Sequence, residues 1–221
     1  MESGINKIKV LIVTSSNPRI TSGQAVLDMY QSLKNNNLFD IKILTKKHDN
    51  YFNPDIISFD SKYYYYKTKF QKKFKSVLNK ITPPSLDKTN RNYAIQEFDQ
   101  TITQNSTKTI IEKIPFHPDA VIISFNVGFL SYKNLSELSM HFDIPVFIRM
   151  ADMSPMTGGC HYAWDCKGYL NNCGHCPAYK SNFEHDQSRK NFVFKQHYIQ
   201  KGNLIPIAGS EQHYQQLLKS S

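Results

Sequence analysis

The feature that most constrains the fold is a strand–helix–strand pattern at the start of the chain. Residues 7–13 read K-I-K-V-L-I-V, a β-branched run typical of a strand buried on both faces of a parallel sheet. A turn over residues 14–23 leads into a helix that opens near Ser22. Its apolar side chains share one helical face: Val26, Leu27, Tyr30 and Leu33. A second strand is predicted over residues 39–44. This βαβ unit predicts an α/β fold with a Rossmann-like, doubly wound, mostly parallel sheet.

The same alternation continues through the second half of the chain. Further strands are predicted over residues 120–124, 146–150 and 204–208, and further helices over residues 106–114, over residues 188–198 and after Ser131 and Ser210. No internal repeat or disordered linker divides the 221 residues. We therefore predict one Rossmann-like domain over residues 1–221.

Three loops are predicted to meet at the carboxyl end of this sheet: residues 14–23, residues 125–128 and the stretch from Met150 onward. Ligands of such folds bind in the crevice at that edge, so Asn126 is a candidate substrate contact. The first loop lacks a G-x-G-x-x-G fingerprint for dinucleotides. Gly23, at a helix N-terminus, could let a sugar or phosphate approach backbone N–H groups. Equally, it could be a turn glycine with unusual φ and ψ angles.

A basic helical insertion interrupts the alternation at about residues 60–82. Apolar side chains share one face of this predicted helix, and lysines cover most of the rest: Lys67, Lys69, Lys72, Lys73, Lys75 and Lys80. The helix either packs on the core with its lysines solvated or lies on an anionic membrane or a phosphate-rich acceptor. The formal net charge of +9 makes a polyanionic partner a candidate. No nucleic-acid partner is expected, because no helix-turn-helix, zinc-finger or RNP motif is present.

All four cysteines lie close together, in a Cys-rich loop over residues 150–180: Cys160, Cys166, Cys173 and Cys176. Residues 1–9 lack the apolar stretch that a secretory leader would need, and no apolar run approaches the roughly 20 residues of a membrane span. We therefore expect a cytoplasmic protein, in which structural disulfides are rare. The leading interpretation is a closed structural zinc site with all four thiolates as ligands. Free thiols, two disulfides and a redox C-G-H-C motif are the alternatives. The redox one is the weakest, because Cys173 sits inside a loop and not at a helix N-terminus.

The same loop carries the best candidates for a working polar group. Asp152 follows a predicted strand, where it could act as a base or accept from a substrate hydroxyl, or could cap the following turn. His161 could be a metal ligand, a substrate contact or a structural histidine. Thr157, Gly158 and Gly159 would expose successive backbone N–H groups, which is a possible anion nest.

The Cys-rich loop resembles a known family. Residues 152–178 read D-M-S-P-M-T-G-G-C-H-Y-A-W-D-C-K-G-Y-L-N-N-C-G-H-C-P-A. This stretch resembles the N-terminal domain of bacterial family 4 glycosyltransferases, the retaining GT-B class used in capsule, exopolysaccharide and lipopolysaccharide assembly. Typical members read roughly H-D-M-x-P-x-T-G-G-C-H-Y, followed by three cysteines ending in C-G-x-C-P. Other similar stretches are Gly23-Gln24, the H-P-D before the third strand, F-L-S-Y-K-N-L at 129–135 and G-S-E-Q at 209–212.

The resemblance implies transfer of a sugar from a nucleotide-sugar to a hydroxyl of an acceptor, often a lipid-linked saccharide, at the cytoplasmic membrane face. In this family the N-terminal domain mainly holds the acceptor, and a second Rossmann-like domain binds the nucleotide-sugar. By resemblance, the substrate-binding candidates are Gly23, Gln24, Asn126, Thr157, Gly158, Gly159 and His161. Asp152 is the catalytic candidate, and the cysteines fix the shape of the loop.

Two departures from the family pattern matter. Ala151 stands where many members carry a histidine, so the role of that histidine does not transfer to this chain. No segment before Ser221 matches the nucleotide-sugar domain, so we expect this chain alone not to transfer sugar and to need a second domain or a partner subunit. The alternative function is a non-catalytic module that binds a glycolipid or a partner. A weaker alternative is a zinc-ribbon-like nucleic-acid binder.

Overall fold

A computed structural model of the chain describes residues 6–18, 23–46, 53–60, 93–95 and 99–220. The predicted basic helix lies almost wholly outside these ranges, and so does the membrane contact assigned to it. The start of the first predicted helix at Ser22 also lies outside them. In the described part of the chain, no helix is both long enough and apolar enough to cross a membrane.

The described residues form a six-stranded sheet in which all neighbouring strands are parallel. The strands are β1 (Ile8–Thr14), β2 (Phe39–Thr45), β3 (Ile56–Ser58), β4 (Ala120–Phe125), β5 (Val146–Met150) and β6 (Leu204–Ala208). Their order across the sheet is β3-β2-β1-β4-β5-β6. This is the strand order of a doubly wound Rossmann fold, so the fold prediction is confirmed. Strand β3 was not predicted, since three residues are too few for a period to be recognised.

Helices flank this sheet on both faces. Within the described residues they are α1 (Gln24–Lys34), α2 (Thr107–Ile111), α3 (Tyr132–Phe142), α4 (Gln187–Lys201) and α5 (Glu211–Lys219). Ser131 caps α3 as predicted: its hydroxyl accepts from the backbone N–H of Asn134, whose side chain accepts from the backbone N–H of Ser131. This reciprocal cap satisfies two of the donors that a helix start leaves unpaired.

The core has two halves, one on each face of the sheet. Leu11 and Val13 of β1 point into the half that α3 closes with Leu135 and Leu138. Val10 and Ile12 point into the other half, which α1 closes with Val26 and Tyr30. Because both faces of β1 are covered, its side chains are buried at successive positions, which explains the nearly continuous apolar run in the sequence.

The strand order reverses direction between β1 and β4, and the loops after β1, β4 and β5 leave the sheet at its carboxyl edge. The register between β1 and β4 shifts at this edge. Val13 pairs with Ile123, but Thr14 pairs with Phe125, so Ser124 has no partner residue in β1. Bulges of this kind redirect side chains next to binding sites. The predicted mouth therefore lies at the switch point of the sheet, where ligands of such folds bind.

Candidate functional site

An open cleft of about 420 Å³ lies beyond the carboxyl ends of β4 and β5. Polar side chains from both strands and from the loops that follow them line it: Ser124, Asn126, Tyr132, Arg149, Asp152 and His161. Three of these six are predicted site residues, namely Asn126, Asp152 and His161. The structure thus brings together one candidate from the 125–128 loop and two from the Cys-rich loop.

Asp152 and His161 form a hydrogen-bonded pair in this cleft. The Nδ1 atom of His161 bonds to Oδ2 of Asp152, and each side chain is 15% exposed. The second oxygen, Oδ1, accepts from the backbone N–H of Ser154 at 2.7 Å. The alternative in which Asp152 caps a turn is therefore confirmed for one oxygen, while the other oxygen is committed to the imidazole.

The backbone holds the two partners of this pair together. The carbonyl of His161 accepts from the N–H of Met153 at 2.9 Å, and the N–H of His161 donates to the carbonyl of Tyr93 at 3.3 Å. No described residue bonds to Nε2 of His161. A carboxylate on Nδ1 fixes the tautomer in which Nδ1 carries the proton, which leaves Nε2 as an acceptor for an incoming hydroxyl.

Tyr132 adds a second polar group to the cleft. Its side chain is buried at the start of α3. Burial raises the pKa of its hydroxyl far above the ordinary value, and the nearby charge of Asp152 raises the pKa further. The hydroxyl therefore stays protonated at neutral pH and can serve as a hydrogen-bond donor. The cleft accordingly combines a hydroxyl donor with a carboxylate–imidazole pair, a set that can bind and polarise a substrate hydroxyl.

Asn126 lines the cleft at the end of β4, and its amide nitrogen donates to the carbonyl of Leu130 at 2.9 Å. Its own carbonyl accepts from the N–H groups of Phe129 and Leu130. These bonds fold the 126–130 segment into a tight turn that sets the wall of the cleft. A substrate contact by Asn126 stays a prediction, and its visible role is to shape this loop.

Gly23 and Gln24 lie at the start of α1 and do not line this cleft. The φ angle of Gly23 is −81°, so the expectation of unusual backbone angles is wrong. Glycine is needed there for another reason: a Cβ atom would lie 1.8 Å from the carbonyl oxygen of Asn17. Gln24 is exposed, and its amide donates to Asp28 one turn along the helix.

Thr157, Gly158 and Gly159 are buried beneath the Cys-rich loop. The hydroxyl of Thr157 donates to the carbonyl of Cys160 at 2.7 Å and accepts from the N–H of Gly159 at 3.2 Å. The N–H of Gly158 donates to the sulfur of Cys173 at 3.2 Å. Because these N–H groups already have partners inside the loop, the segment offers no open anion nest in this arrangement. Its substrate contacts stay a prediction, and its visible role is to brace the loop.

All four thiols line a single, mostly apolar cavity inside the Cys-rich loop, and none of them is in a disulfide. Burial raises the pKa of the thiols of Cys160 and Cys176, and it raises the pKa of Cys173 to about 12. A thiol with a raised pKa is a poor nucleophile, which supports the low weight given to the redox alternative. Within the described part of the chain, no three His, Cys, Asp or Glu side chains are close enough to form a ready ion site. The zinc site therefore stays a prediction.

The cavity nevertheless has features that suit a zinc ion. The sulfurs of Cys173 and Cys166 accept from the backbone N–H groups of Gly158 and Gly168 at 3.2 and 3.4 Å, and such bonds stabilise thiolates. Four successive residues from Asn172 to His175 have positive φ angles, of 61°, 58°, 99° and 44°. Each non-glycine residue in this conformation costs about 1 kcal/mol or more. The turn of the C-x2-C pair is thus one that a metal ion at its two thiolates would help to hold.

The Cys-rich loop is anchored on the start of α4. The side chain of Asp186 caps this helix through the N–H of Ser188 at 2.8 Å, and its other oxygen accepts from the N–H of Cys176 at 2.8 Å. The amide of Asn191, one turn further on, donates to the carbonyl of Gly158 at 3.0 Å. Two separate parts of the loop are therefore fixed to the first turns of one helix.

Lys195 of α4 is a buried cation that sequence reasoning missed. Its side chain is 2% exposed, and Nζ donates to the carbonyl of Ser154 at 2.7 Å. Burial lowers its pKa to about 8, against the opposing effect of Cys173, Cys160 and Asp152. Lys195 therefore lies within electrostatic reach of both the thiols and the cleft carboxylate. Its position on a polar helix gave no signal of burial, since lysines on such helices are ordinarily exposed.

Comparison of the chain with protein-family models, with curated proteins and with solved structures finds no match. The case for a function therefore depends on the cleft, on the Cys-rich loop and on the family resemblance of that loop.

Proposed function

We propose that this chain is the acceptor-side domain of a glycosyltransferase that moves a sugar from a nucleotide-sugar to a hydroxyl of a lipid-linked saccharide. The observation that carries the proposal is the Asp152–His161 pair in a cleft at the carboxyl edge of β4 and β5. Both residues belong to the stretch that resembles family 4 glycosyltransferases. The same edge of a Rossmann-like sheet is where such folds bind ligands.

The residues of the cleft have complementary tasks in this proposal. Asp152 holds the imidazole of His161 in one tautomer, and Nε2 of His161 accepts a hydrogen bond from the acceptor hydroxyl. The Tyr132 hydroxyl stays protonated because burial raises its pKa, so it donates to an oxygen of the same saccharide. The cleft thereby orients one hydroxyl toward the donor sugar and excludes part of the surrounding water.

The Cys-rich loop supports this pair mechanically. Cys160 directly precedes His161, and Cys173 bonds the segment that leads to it through Gly158. Zinc, when bound, supplies a structural cross-link between the thiolates of Cys160, Cys166, Cys173 and Cys176. A loop closed in this way holds His161 against Asp152.

The remaining parts of the proposal concern partners. The nucleotide-sugar is expected to bind a second domain or a partner subunit. The basic segment around residues 60–82 is expected to contact an anionic membrane surface, which puts the protein at the inner face of the cytoplasmic membrane. Both expectations come from the sequence and the family resemblance.

Glycan binding by the purified chain tests this proposal. An array of immobilised bacterial surface glycans is probed with the native chain, with Asp152→Asn and with His161→Gln. His185→Gln is the matched control, because His185 is an exposed histidine outside the cleft. We expect the native chain and the control to retain a subset of glycans, and both cleft variants to lose at least about tenfold in apparent affinity.

The Asp152→Asn change keeps the oxygen that caps Ser154, so its loss of binding would not reflect an uncapped turn. Unchanged retention by both cleft variants would remove the cleft from the proposal. Retention of no glycan, together with strongly salt-dependent binding to DNA or RNA, would favour the nucleic-acid alternative instead.

A further inference from the structure

Arg149 is a permanently charged group in the cleft, and it has no counter-ion among the described residues. It belongs to β5, is half-buried and lines the same cleft as Asp152 and His161. No described residue forms an ion pair or a hydrogen bond with its side chain, and Asp152 is committed to His161 and Ser154. Moving a charged group partly out of water costs free energy unless an opposite charge pairs with it. A ligand with a negative charge would supply the partner that Arg149 lacks in the described part of the chain.

Ser124 is a second group in the cleft with an unmet hydrogen bond. Its side chain is 4% exposed, and its hydroxyl has no hydrogen-bond partner in the part of the chain that the structure describes. The residue is the extra one in the bulge between β1 and β4, so it belongs to the cleft wall and not to the regular ladder. Buried hydroxyls are nearly always hydrogen-bonded, which makes this one an independent sign of an absent ligand.

Ser124 and Arg149 occupy matching positions on the neighbouring strands β4 and β5. Ile123 of β4 pairs with Ile148 of β5, and Ser124 and Arg149 are the next residues of those strands. Both line the cleft together with Asn126. Arg149, Ser124 and Asn126 therefore line the same cleft as the Asp152–His161 pair.

We propose that Arg149 and Ser124 bind the carboxylate of an acidic saccharide, with a hydroxyl of the same saccharide at His161. The proposal rests on the proposed function and adds the chemical class of the acceptor. The planar fork of N–H groups on Arg149 matches the two oxygens of a carboxylate. The Oγ atom of Ser124 has almost no accessible surface, so a change of its χ1 rotamer would bring its hydroxyl to one of those oxygens. Both unmet groups then gain a partner at once.

The charges in the cleft favour a single negative charge on the ligand. Among the described residues that line it, Arg149 carries a permanent positive charge and Asp152 a negative charge, and the buried ammonium of Lys195 lies within electrostatic reach of Asp152. A phosphate monoester brings nearly two negative charges at neutral pH and would face Asp152 with one arginine as its counter-ion. Arg149 and Lys195 together outweigh Asp152 by one positive charge, so a carboxylate brings this group of charges to neutrality, which is the less costly arrangement in a partly buried site.

Titration by NMR of the purified full chain tests the proposal, with D-glucuronate, D-glucose and inorganic phosphate as probes. The reporters are the backbone amides of the cleft and the side-chain Nε–H of Arg149. We expect D-glucuronate to bind the cleft with a Kd at least about tenfold lower than that of D-glucose. Inorganic phosphate should bind more weakly than D-glucuronate.

Variants assign the preference to the two residues. Arg149→Gln should raise the Kd for D-glucuronate at least about tenfold and leave the Kd for D-glucose within about twofold. Ser124→Ala should raise the Kd for D-glucuronate several-fold. Arg149→Lys keeps the charge but not the fork, and should restore only part of the affinity. Arg189→Gln, which changes an arginine paired with Glu184 outside the cleft, is the control and should leave all three Kd values unchanged.

Other results would overturn either the carboxylate site alone or the proposed function as well. Equal affinity for D-glucuronate and D-glucose in the cleft would overturn the carboxylate site and leave the proposed function standing. Phosphate binding at Arg149 as tight as D-glucuronate would overturn the choice of a carboxylate. Binding of neither sugar in the cleft would overturn both this inference and the proposed saccharide site.

Discussion

Replacing Lys195 by methionine should change the stability of the zinc-free protein and the affinity for zinc in opposite directions. The ammonium is buried, and its pKa falls from 10.5 to about 8. A difference of this size corresponds to about 3 kcal/mol that disfavours the charged lysine in the folded, zinc-free chain. The loss of the bond to Ser154 and of the contact with the Tyr132 ring, 5.8 Å away, costs about 2 kcal/mol. Lys195→Met should therefore be about 1 kcal/mol more stable than the native chain at pH 7 without zinc.

The preference for methionine at position 195 should reverse if the proposed zinc site is filled. Four thiolates around Zn²⁺ carry a net charge of −2, and the thiols of Cys173 and Cys160 are among the groups that act electrostatically on Lys195. The ammonium then compensates a negative cluster. Loss of a group hydrogen-bonded to a metal ligand weakens metal affinity about 10- to 100-fold. Lys195 bonds to Ser154 and acts on the thiols through its charge, so Lys195→Met should raise the Kd for zinc by about tenfold, the lower end of that range.

The assay has two parts, urea unfolding of the chelated protein and competition for zinc against a chromogenic chelator. Lys190→Met is the matched control, because Lys190 is an exposed lysine on the same helix, and it should change neither quantity. An unchanged Kd for zinc in Lys195→Met would refute the role of Lys195 as the counter-charge to the zinc-bound thiolates. A zinc-free variant that is less stable than the native chain would refute the cost assigned to its burial.

The pH dependence of this difference has a definite sign. Because folding lowers the pKa of Lys195, the unfolded chain binds more protons than the folded chain between about pH 8 and pH 10.5. The contribution of Lys195 to the free energy of unfolding of the native chain therefore increases as the pH rises through that window. The methionine variant lacks this group and shows no such increase. The stability advantage of Lys195→Met without zinc should disappear by pH 10.5. A constant difference across the window would contradict the lowered pKa.

Two further predictions concern the scaffold and can be checked by urea unfolding. Gly158→Ala should lower the free energy of unfolding by about 1–3 kcal/mol, because its Cβ would lie 2.4 Å from the carbonyl oxygen of Ser188. Gly168→Ala is the control from the same loop, where the nearest contact would be 3.4 Å, and a loss as large as that of Gly158→Ala would contradict the packing argument. Asn134→Ala should cost about 2 kcal/mol, because it removes a helix cap and buried hydrogen bonds; an unchanged midpoint would contradict this.

The sheet could be predicted from the sequence because its strands are buried on both faces. The run K-V-L-I-V in β1 has side chains in both halves of the core, and short apolar runs between helical patterns define a parallel sheet. The start of α3 at Ser131 was also predictable, since a serine before an apolar helical pattern is a capping signal. Strand β3 was not, because it is held by pairing with β2 and has only three residues.

The candidate site was predictable in part, and the misses have physical causes. Asp152 was identified because it follows a strand end at the carboxyl edge of a parallel sheet, and His161 because it adjoins Cys160 in the stretch with the family resemblance. Arg149 and Ser124 were missed because they lie inside strand patterns, and the β-bulge that makes Ser124 part of the cleft wall leaves no mark in the sequence. The burial of Lys195 likewise depends on the docking of the Cys-rich loop onto α4, which is a tertiary event.

We propose that the Asp152–His161 cleft serves sugar transfer to a lipid-linked saccharide. Its most direct test is mass spectrometry of the lipid-linked saccharides in the source organism, with the native gene or with Asp152→Asn in its place. Cells with the variant should accumulate a lipid-linked saccharide one sugar shorter than the native product, and their surface polysaccharide should decrease. An unchanged set of lipid-linked saccharides in cells that contain normal amounts of the variant protein would contradict it.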